Sequence, residues 1–550
     1  MPESHFSRRH LLKVIGAGLL GAFFIARLLN RARPSGPIQH ILPTVTHNQF
    51  LIKVSFWEPK KAVQLSVTRL QQVNHVAGKQ TDSRGRFWLF RVSGLASETN
   101  YTLQLSDATD LIDKAWPLKT FPSPDSHPDS FKLICYTCAG GPDGFSLPSG
   151  KNFFKPHFVR HKIFDAAIAM RPDAVVAIGD HIYWDLRGNN SATVGSGFIG
   201  QIITWYLKHS FGAFDRTQKI IGFNSDNEAV LTAIGDDQIA HLYGTRFKSI
   251  PMFFVADDHD YFENDDADLL TFPPQSFNRR AHAAIADLYY PAFLSAPADS
   301  PGIDSERNNR SFGTLRYGKL VEIHMFDCAG YLTMEKTKSV LFPSPVEDWL
   351  VNKIASDLTK HLALIPSHPL AWTAGKWREW YPDVVAPNGE FTGLVKNKLL
   401  ANIHGVLSNK AQKAGWQKGW WLQHQRLIQA IDKNRSRPTI LLSGDIHALG
   451  AKSIEGSGDI DLSKRPIQSL LVGPISTSDM AWPSAARSIT AATPGWLKTS
   501  DRVETKEDNG FTLVKFNRNG IQATLVNFGG GPKISKMQIG KVHKTTITLV

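Results

Sequence analysis

The chain has 550 residues, 42% of them hydrophobic and 20% charged, with 3 cysteines and a formal net charge of +13. That length allows two or more domains and a large core, and three cysteines exclude a disulfide-built scaffold. The first 33 residues hold six Lys/Arg against one Glu, which leaves +8 for the rest, without long basic runs. With no recognised binding motif, this charge points away from specific nucleic-acid binding and suits an anionic substrate or surface.

Ser7-Arg8-Arg9-His10-Leu11-Leu12-Lys13 precedes an apolar segment from Val14 to Ala26. A charged start and a short hydrophobic core are the layout of an export signal. The paired arginines resemble the twin-arginine signal, whose cargo crosses already folded. Residues 1–33 are therefore expected to be a twin-arginine-type signal or N-terminal anchor, with the export machinery as a partner and the periplasm or extracellular face as destination. The apolar span of about 13 residues is shorter than the ~20 that cross a bilayer comfortably. No clean A-x-A follows, so membrane association through an uncleaved N-terminus stays open. Gly16-Ala-Gly18-Leu-Leu-Gly21 fits G-x-G-x-x-G, but no strand precedes it and no βαβ unit surrounds it.

Short alternating runs follow at Phe50 to Trp57, Val63 to Leu70, Phe87 to Val92 and Tyr101 to Leu105. Their spacing predicts a small β-sandwich over 40–122. Ser93-Gly94-Leu95 with Asn100-Tyr101-Thr102-Leu103 resembles fibronectin-type modules, in which a Tyr packs at a strand corner. The proline-rich 123–130 reads as a linker.

From 131 onward, four apolar β-type runs each end in a metal-competent side chain. They are Phe131 to Cys138, Ala174 to Tyr183, Met252 to Asp260 (ending Asp257-Asp258-His259-Asp260) and Thr439 to His447 (ending Gly444-Asp445-Ile446-His447). Helical stretches such as Pro274 to Tyr290 and Gly419 to Asp432 lie between them, which predicts an α/β core with all four groups at one sheet edge. Alone, Asp180 reads as a helix N-cap. Three carboxylates around His259 repel one another unless a cation is present, and four such junctions together predict a metal site. Cys135-Tyr-Thr-Cys138 fits C-x-x-C, but it ends a strand rather than opening a helix, so it is not read as a redox motif. Thiolate, phenolate, imidazole and carboxylates form a mixed hard and soft set. A tyrosine ligand suits ferric iron, and hard oxygens suit a second ion such as calcium or manganese.

"GD-x-x-Y", "DDHD…N" and "GD-x-H", in this order, resemble the alkaline phosphatase D (PhoD-like) family of the metallophosphoesterases, from about residue 40 to the C-terminus. The resemblance implies a four-layer α/β/β/α core over 131–550, preceded by an all-β fibronectin/Ig-like sandwich. It implies Fe3+ and Ca2+ as cofactors, with Mn2+ or Zn2+ as alternatives, and hydrolysis of phosphomonoesters and phosphodiesters. It implies metal ligation by Cys138, Asp180, Tyr183, Asp258, Asn264, Asp445 and His447, with Asp180 bridging. The implied reaction is attack on phosphorus by a metal-held hydroxide, with catalysis by Asp180 and His259. His259 would lie next to the phosphate and assist the leaving group. Apart from the resemblance, Lys376, with Trp377, Arg378 and Trp380, reads either as a substrate-binding, phosphate-contacting loop or as a packed loop with basic ends.

Thr137-Cys138-Ala139 replaces the family's Ser-Cys-Gln, and Lys376 stands where the family tends to show Asn-Gln, so substrate preference is left open. Asp327-Cys328-Ala329 lacks an arginine often found there, and Cys328 is read as a small buried side chain. The insertion at about 186–250 carries the apolar run Phe198 to Leu207, read as an added helix with a packed face, with a lid or membrane-facing patch beside the cleft as the alternative. Trp416, Trp420 and Trp421 are expected to anchor the helix before the last junction. The tail after Pro483 is expected to finish the second sheet. Two other classes fit the residues: a metallohydrolase cutting non-phosphate esters or amides, and a non-catalytic cell-surface binding protein. The full ligand set argues against the second.

Overall fold

Ile38–Val45 and Phe50–Phe56 are buried along their whole length, whereas in later strands of this region polar and apolar residues alternate and one face meets a core. In Asn100–Asp107 the alternate residues Tyr101, Leu103 and Leu105 are buried, and in Trp116–Lys119 every second residue is. Four strands pair in the order Ile38–Val45, Phe50–Phe56, Phe87–Val92 and Lys79–Gln80. The second sheet joins Gln72–Ala77, Gln64–Arg69, Asn100–Asp107 and Asp110–Leu111, with Trp116–Lys119 on Asn100–Asp107. Tyr101 forms the expected corner: its hydroxyl accepts from the Ala96 N–H at 2.8 Å.

This computed structural model describes residues 36–107, 110–143, 152–184, 211–222, 225–262, 276–294, 301, 310–331, 333, 336–372, 418–487, 490–491, 493, 497–531 and 537–550. The export-signal reading, the run from Phe198 to Leu207, Asn264 and the loop carrying Lys376 lie outside the described residues. Among the described residues no helix is long and apolar enough to cross a membrane.

The remaining strands form a six-stranded and an eight-stranded sheet. The six-stranded order is Met252–Val255, Ala174–Ile178, Ser130–Thr137, Gly510–Asn517, Gly520–Asn527 and His543–Thr548. The first three are parallel, and the tail strand Gly510–Asn517 adds antiparallel to Ser130–Thr137. The eight-stranded sheet contains Phe312–Tyr317, Val321–Phe326, His361–Pro366, Thr439–Ser443, Ile467–Val472, Leu449–Ser457 and Ile460–Asp461, with Leu497–Lys506 on Leu449–Ser457. The tail therefore divides between the sheets, its last three strands joining the one that carries Asp180.

The four junctions do not share one sheet edge. Three end strands of the six-stranded sheet, and the fourth ends Thr439–Ser443 of the eight-stranded sheet. The sheets meet through their buried faces: Leu133 and Cys135 share a core with Ile323, Met325, Ile440 and Leu442. Ile134 and Tyr136, on the opposite face, pack with Ile163 and Phe164 of helix His157–Ala169 and Ile285 of helix Phe277–Tyr289. Leu362 and Leu441 pack with Leu350 of helix Ser344–Ala355 and Ile428 of helix Lys418–Lys433. Helix Phe277–Tyr289 begins three residues after Pro274 because the Ser276 side chain caps it, accepting from the Arg279 N–H. Trp420 is buried and donates to the carbonyls of Thr333 and Val340, so it does anchor its helix.

Candidate metal centre

Two glycines let the strand ends approach. Gly179 has φ 67°, and a Cβ there would lie 2.4 Å from Asp257 Cβ. A Cβ on Gly444 would lie 2.3 Å from Thr137 Oγ1. Beyond these contacts the chain turns sharply. Cys138, Asp180, Asp445 and His447 adopt left-handed φ values of 48°, 57°, 66° and 47°. Such backbones are costly for non-glycine residues and gather at functional sites.

Three groups of potential ligands result, each with donor atoms within 4.8 Å of one another: Cys138, Asp180 and His447; Asp180, Asp258 and His259; Asp257, His368 and Asp445. Asp180 belongs to two of them. Its Oδ2 accepts from the Tyr183 hydroxyl at 2.7 Å and from the Cys138 thiol at 3.2 Å. Its Oδ1 is buried without a hydrogen-bond partner. Tyr183 Oη also lies 3.4 Å from His447 Nε2, and Thr477 Oγ1 holds the other nitrogen of that ring at 3.1 Å. The Tyr183 and His259 rings lie 4.2 Å apart. Burial first, then Asp180, pushes the Cys138 thiol and the Tyr183 phenol well above their usual ranges. A bound cation would displace these protons. An orphaned carboxylate oxygen beside thiol, phenol and imidazole is a donor set that fits a metal ion.

The sequence motifs therefore bring Cys138, Asp180, Tyr183, Asp258, His259, Asp445 and His447 together. Asn264 and Lys376 lie outside the described residues. Asp257 and His368 were missed. His368 Nδ1 lies 2.7 Å from Asp257 and its Nε2 3.9 Å from Asp445. It follows strand His361–Pro366, a fifth strand end of the same kind, which was the available signal. Asp260 was counted among the repelling carboxylates, yet it accepts N–H groups from Asp180, His181, Ile182 and Asp257 at 2.7–3.1 Å. Burial and Asp180 push its carboxyl up to about 8 against these donors. Buried Arg160 donates to the carbonyls of Ala139, Gly140 and Gly141, and so clasps the loop after Cys138. Gln238 Oε1, on the π-helical turn Asp236–Ala240, accepts from Gly141 and Tyr183. No sequence spacing announces these two residues.

Residues 241–525, more than half of the chain, match the family model of the PhoD-like phosphatases. The chain belongs to this family. The match takes in Asp257, Asp258, His259, His368, Asp445 and His447 and begins after Cys138, Asp180 and Tyr183. The solved structure of PhoD is similar over the greater length, with a TM-score of 0.59 at 13% identity, covering 94% of this chain and 91% of that one. A purple acid phosphatase from seeds of yellow lupin (Lupinus luteus) is similar with a TM-score of 0.52 at 11% identity, covering 94% and 75%. No curated protein matches the sequence significantly. This PhoD-like phosphatase is a metal-dependent phosphoester hydrolase.

Proposed function

We propose that this phosphatase is exported and hydrolyses phosphomonoesters and phosphodiesters at a centre of iron and calcium, within a four-layer α/β/β/α core. The observation that carries the site reading is the sharing of Asp180 between two ligand groups. One side of Asp180 offers a thiol, a phenol and an imidazole, a set suited to ferric iron; the other offers Asp258 and His259. The four-layer reading is supported by the sheets, which turn one face to each other and the other to helices.

Ions held there would polarise a phosphoryl oxygen and lower the pKa of an attacking water. Asp180, Cys138, Tyr183 and His447 would hold one ion; Asp258 and Asn264 would join Asp180 at another, with Asp445 nearby. Half-buried His259 lies at the centre's margin and would pass a proton to the leaving oxygen. Thr477 orients His447, and Asp260 fixes the turn that carries Asp180. Lys376 would contact the anionic substrate, and the twin-arginine-type N-terminus would direct the folded, loaded protein to the periplasm or extracellular face.

The test pairs metal analysis with nitrophenyl phosphate, bis-nitrophenyl phosphate and nitrophenyl acetate. Iron with calcium, a visible tyrosinate absorption band lost in Tyr183→Phe, and turnover of the two phosphate esters are expected. A colourless, zinc-only, fully active enzyme would overturn the iron reading, and turnover of the acetate alone would overturn the ester class.

A further inference from the structure

His181 has no part in the centre, although it follows Asp180 directly. Its ring points away, into a cavity of about 40 Å³ between the early sandwich and helix Phe277–Tyr289. His282 and Tyr290 line the same cavity. These three residues are 2%, 6% and 6% exposed. Each has one buried polar atom without a hydrogen-bond partner: His181 Nδ1, His282 Nε2 and the Tyr290 hydroxyl.

The other ring nitrogens define what these atoms are. His181 Nε2 lies 3.0 Å from the Val255 carbonyl, and His282 Nδ1 lies 3.1 Å from the Asp260 carbonyl. A carbonyl only accepts, so those nitrogens carry the protons. Among the described residues, neither cavity-facing nitrogen has a carboxylate within ion-pair reach, and Lys53 and Arg310 stand in the same lining, so a second proton on either ring would be a buried, unpaired charge; both imidazoles are neutral. His181 Nδ1 and His282 Nε2 are thus bare lone pairs, and Tyr290 can donate or accept. An occupant must offer two protons, which phosphate or carboxylate at neutral pH does not do well. The rim disfavours a cation: Lys53 and Arg310 stand there against one carboxylate, Asp287, which Arg310 already holds in three hydrogen bonds. One water needs about 10–15 Å³ of such volume, so the cavity has room for about three water-sized groups.

We propose that this cavity is a second, non-catalytic site for a small neutral hydroxyl ligand that donates to His181 Nδ1 and His282 Nε2 and pairs with Tyr290. Water fills it unless a diol replaces the water. The occupant fixes the tautomers of both histidines. Their N–H groups then hold Val255 and Asp260, which flank Asp257 and Asp258. The site is independent of which ester the enzyme cleaves, because none of its three anchors is a ligand of the centre.

The test is a crystal structure of the full-length, metal-loaded chain grown without glycols, with parallel soaks in ethylene glycol, inorganic phosphate and zinc chloride. Ordered water on the three atoms is expected, and ethylene glycol in its place would identify the organic source of the same chemistry. A dry cavity, or phosphate or zinc bound there, would overturn the proposal. Nitrogen NMR of histidine-labelled protein supplies a readout that mere packing would not move. In Tyr290→Phe the unprotonated nitrogens of His181 and His282 should shift downfield as their donor loses occupancy. Unchanged resonances would count against the hydroxyl ligand even if the variant is less stable.

Discussion

Asp180 and Glu322 are both 1% exposed carboxylates on the sheet core, and their surroundings are opposites. Glu322, near the start of Val321–Phe326, has Arg437 at 3.3 Å, Lys353 at 3.6 Å and His324 at 3.6 Å. Asp180 has a thiol and a phenol, neither of which is a cation, and one oxygen with no hydrogen-bond partner. A buried carboxylate costs several kcal/mol unless it is paired. Glu322 brings its countercharges within the chain, whereas Asp180 is arranged to receive them from outside. This separates a structural charge from a functional one without reference to motif.

The largest effect that would sharpen the contrast is on activity. Asp180→Asn should lower kcat/KM by roughly 10³-fold or more, beyond the 10–100-fold typical of residues that only support a ligand. Metal content should fall in parallel, while the metal-free variant melts at or above the metal-free parent. If it melts far below, Asp180 is structural like Glu322 and the contrast breaks. Glu322→Gln should do the reverse: about 3–5 kcal/mol lost in urea unfolding, because Arg437 and Lys353 keep buried charge, with activity per folded molecule retained. Asp260→Asn falls between the two. An amide would present its own N–H groups to four backbone donors, costing about 1–3 kcal/mol. Metal affinity should weaken roughly 10–100-fold, as for a supporting residue. Equilibrium dialysis with the metal and a denaturant titration would check both.

What the sequence made legible follows from the same contrast. Asp180 stands two residues beyond a buried run of five, after Gly179, and Asp445 stands likewise after Gly444 with His447 two further on, so local spacing exposes them. The sequence-level error was to place all four junctions on one sheet edge, because nothing local says that Thr439–Ser443 belongs to a different sheet from Ala174–Ile178. Asp258 and Asp260 look alike in the sequence. Only the fold turns Asp260 toward four N–H groups and leaves Asp258 beside Asp180. Glu322 was illegible, since Arg437 reaches it from 115 positions away. Arg160 and Gln238 escaped notice for a related reason: their partners are backbone groups, which carry no residue identity.

The smallest effect is a dependence on pH. Burial alone would raise the Glu322 carboxyl, but His324, Lys353 and Arg437 outweigh it and hold the group at about 2. Burial lowers the pKa of His324 itself, so at neutral pH its ring faces Glu322 as a dipole and the two cations carry the charge. A depressed carboxyl adds stability that is fully present above its unfolded value, roughly 4.3, and is lost as pH falls toward the folded value. Glutamine at 322 has no such titration. The melting-temperature gap between the parent and Glu322→Gln should therefore be widest near pH 6 and should narrow by pH 3. Calorimetry on metal-free protein at both pH values isolates the effect, since Asp180 and its neighbours are unchanged in the two proteins. A gap that widens on acidification would mean that Glu322 is not the ion-paired carboxylate its neighbours imply, and the contrast with Asp180 would lose its structural half.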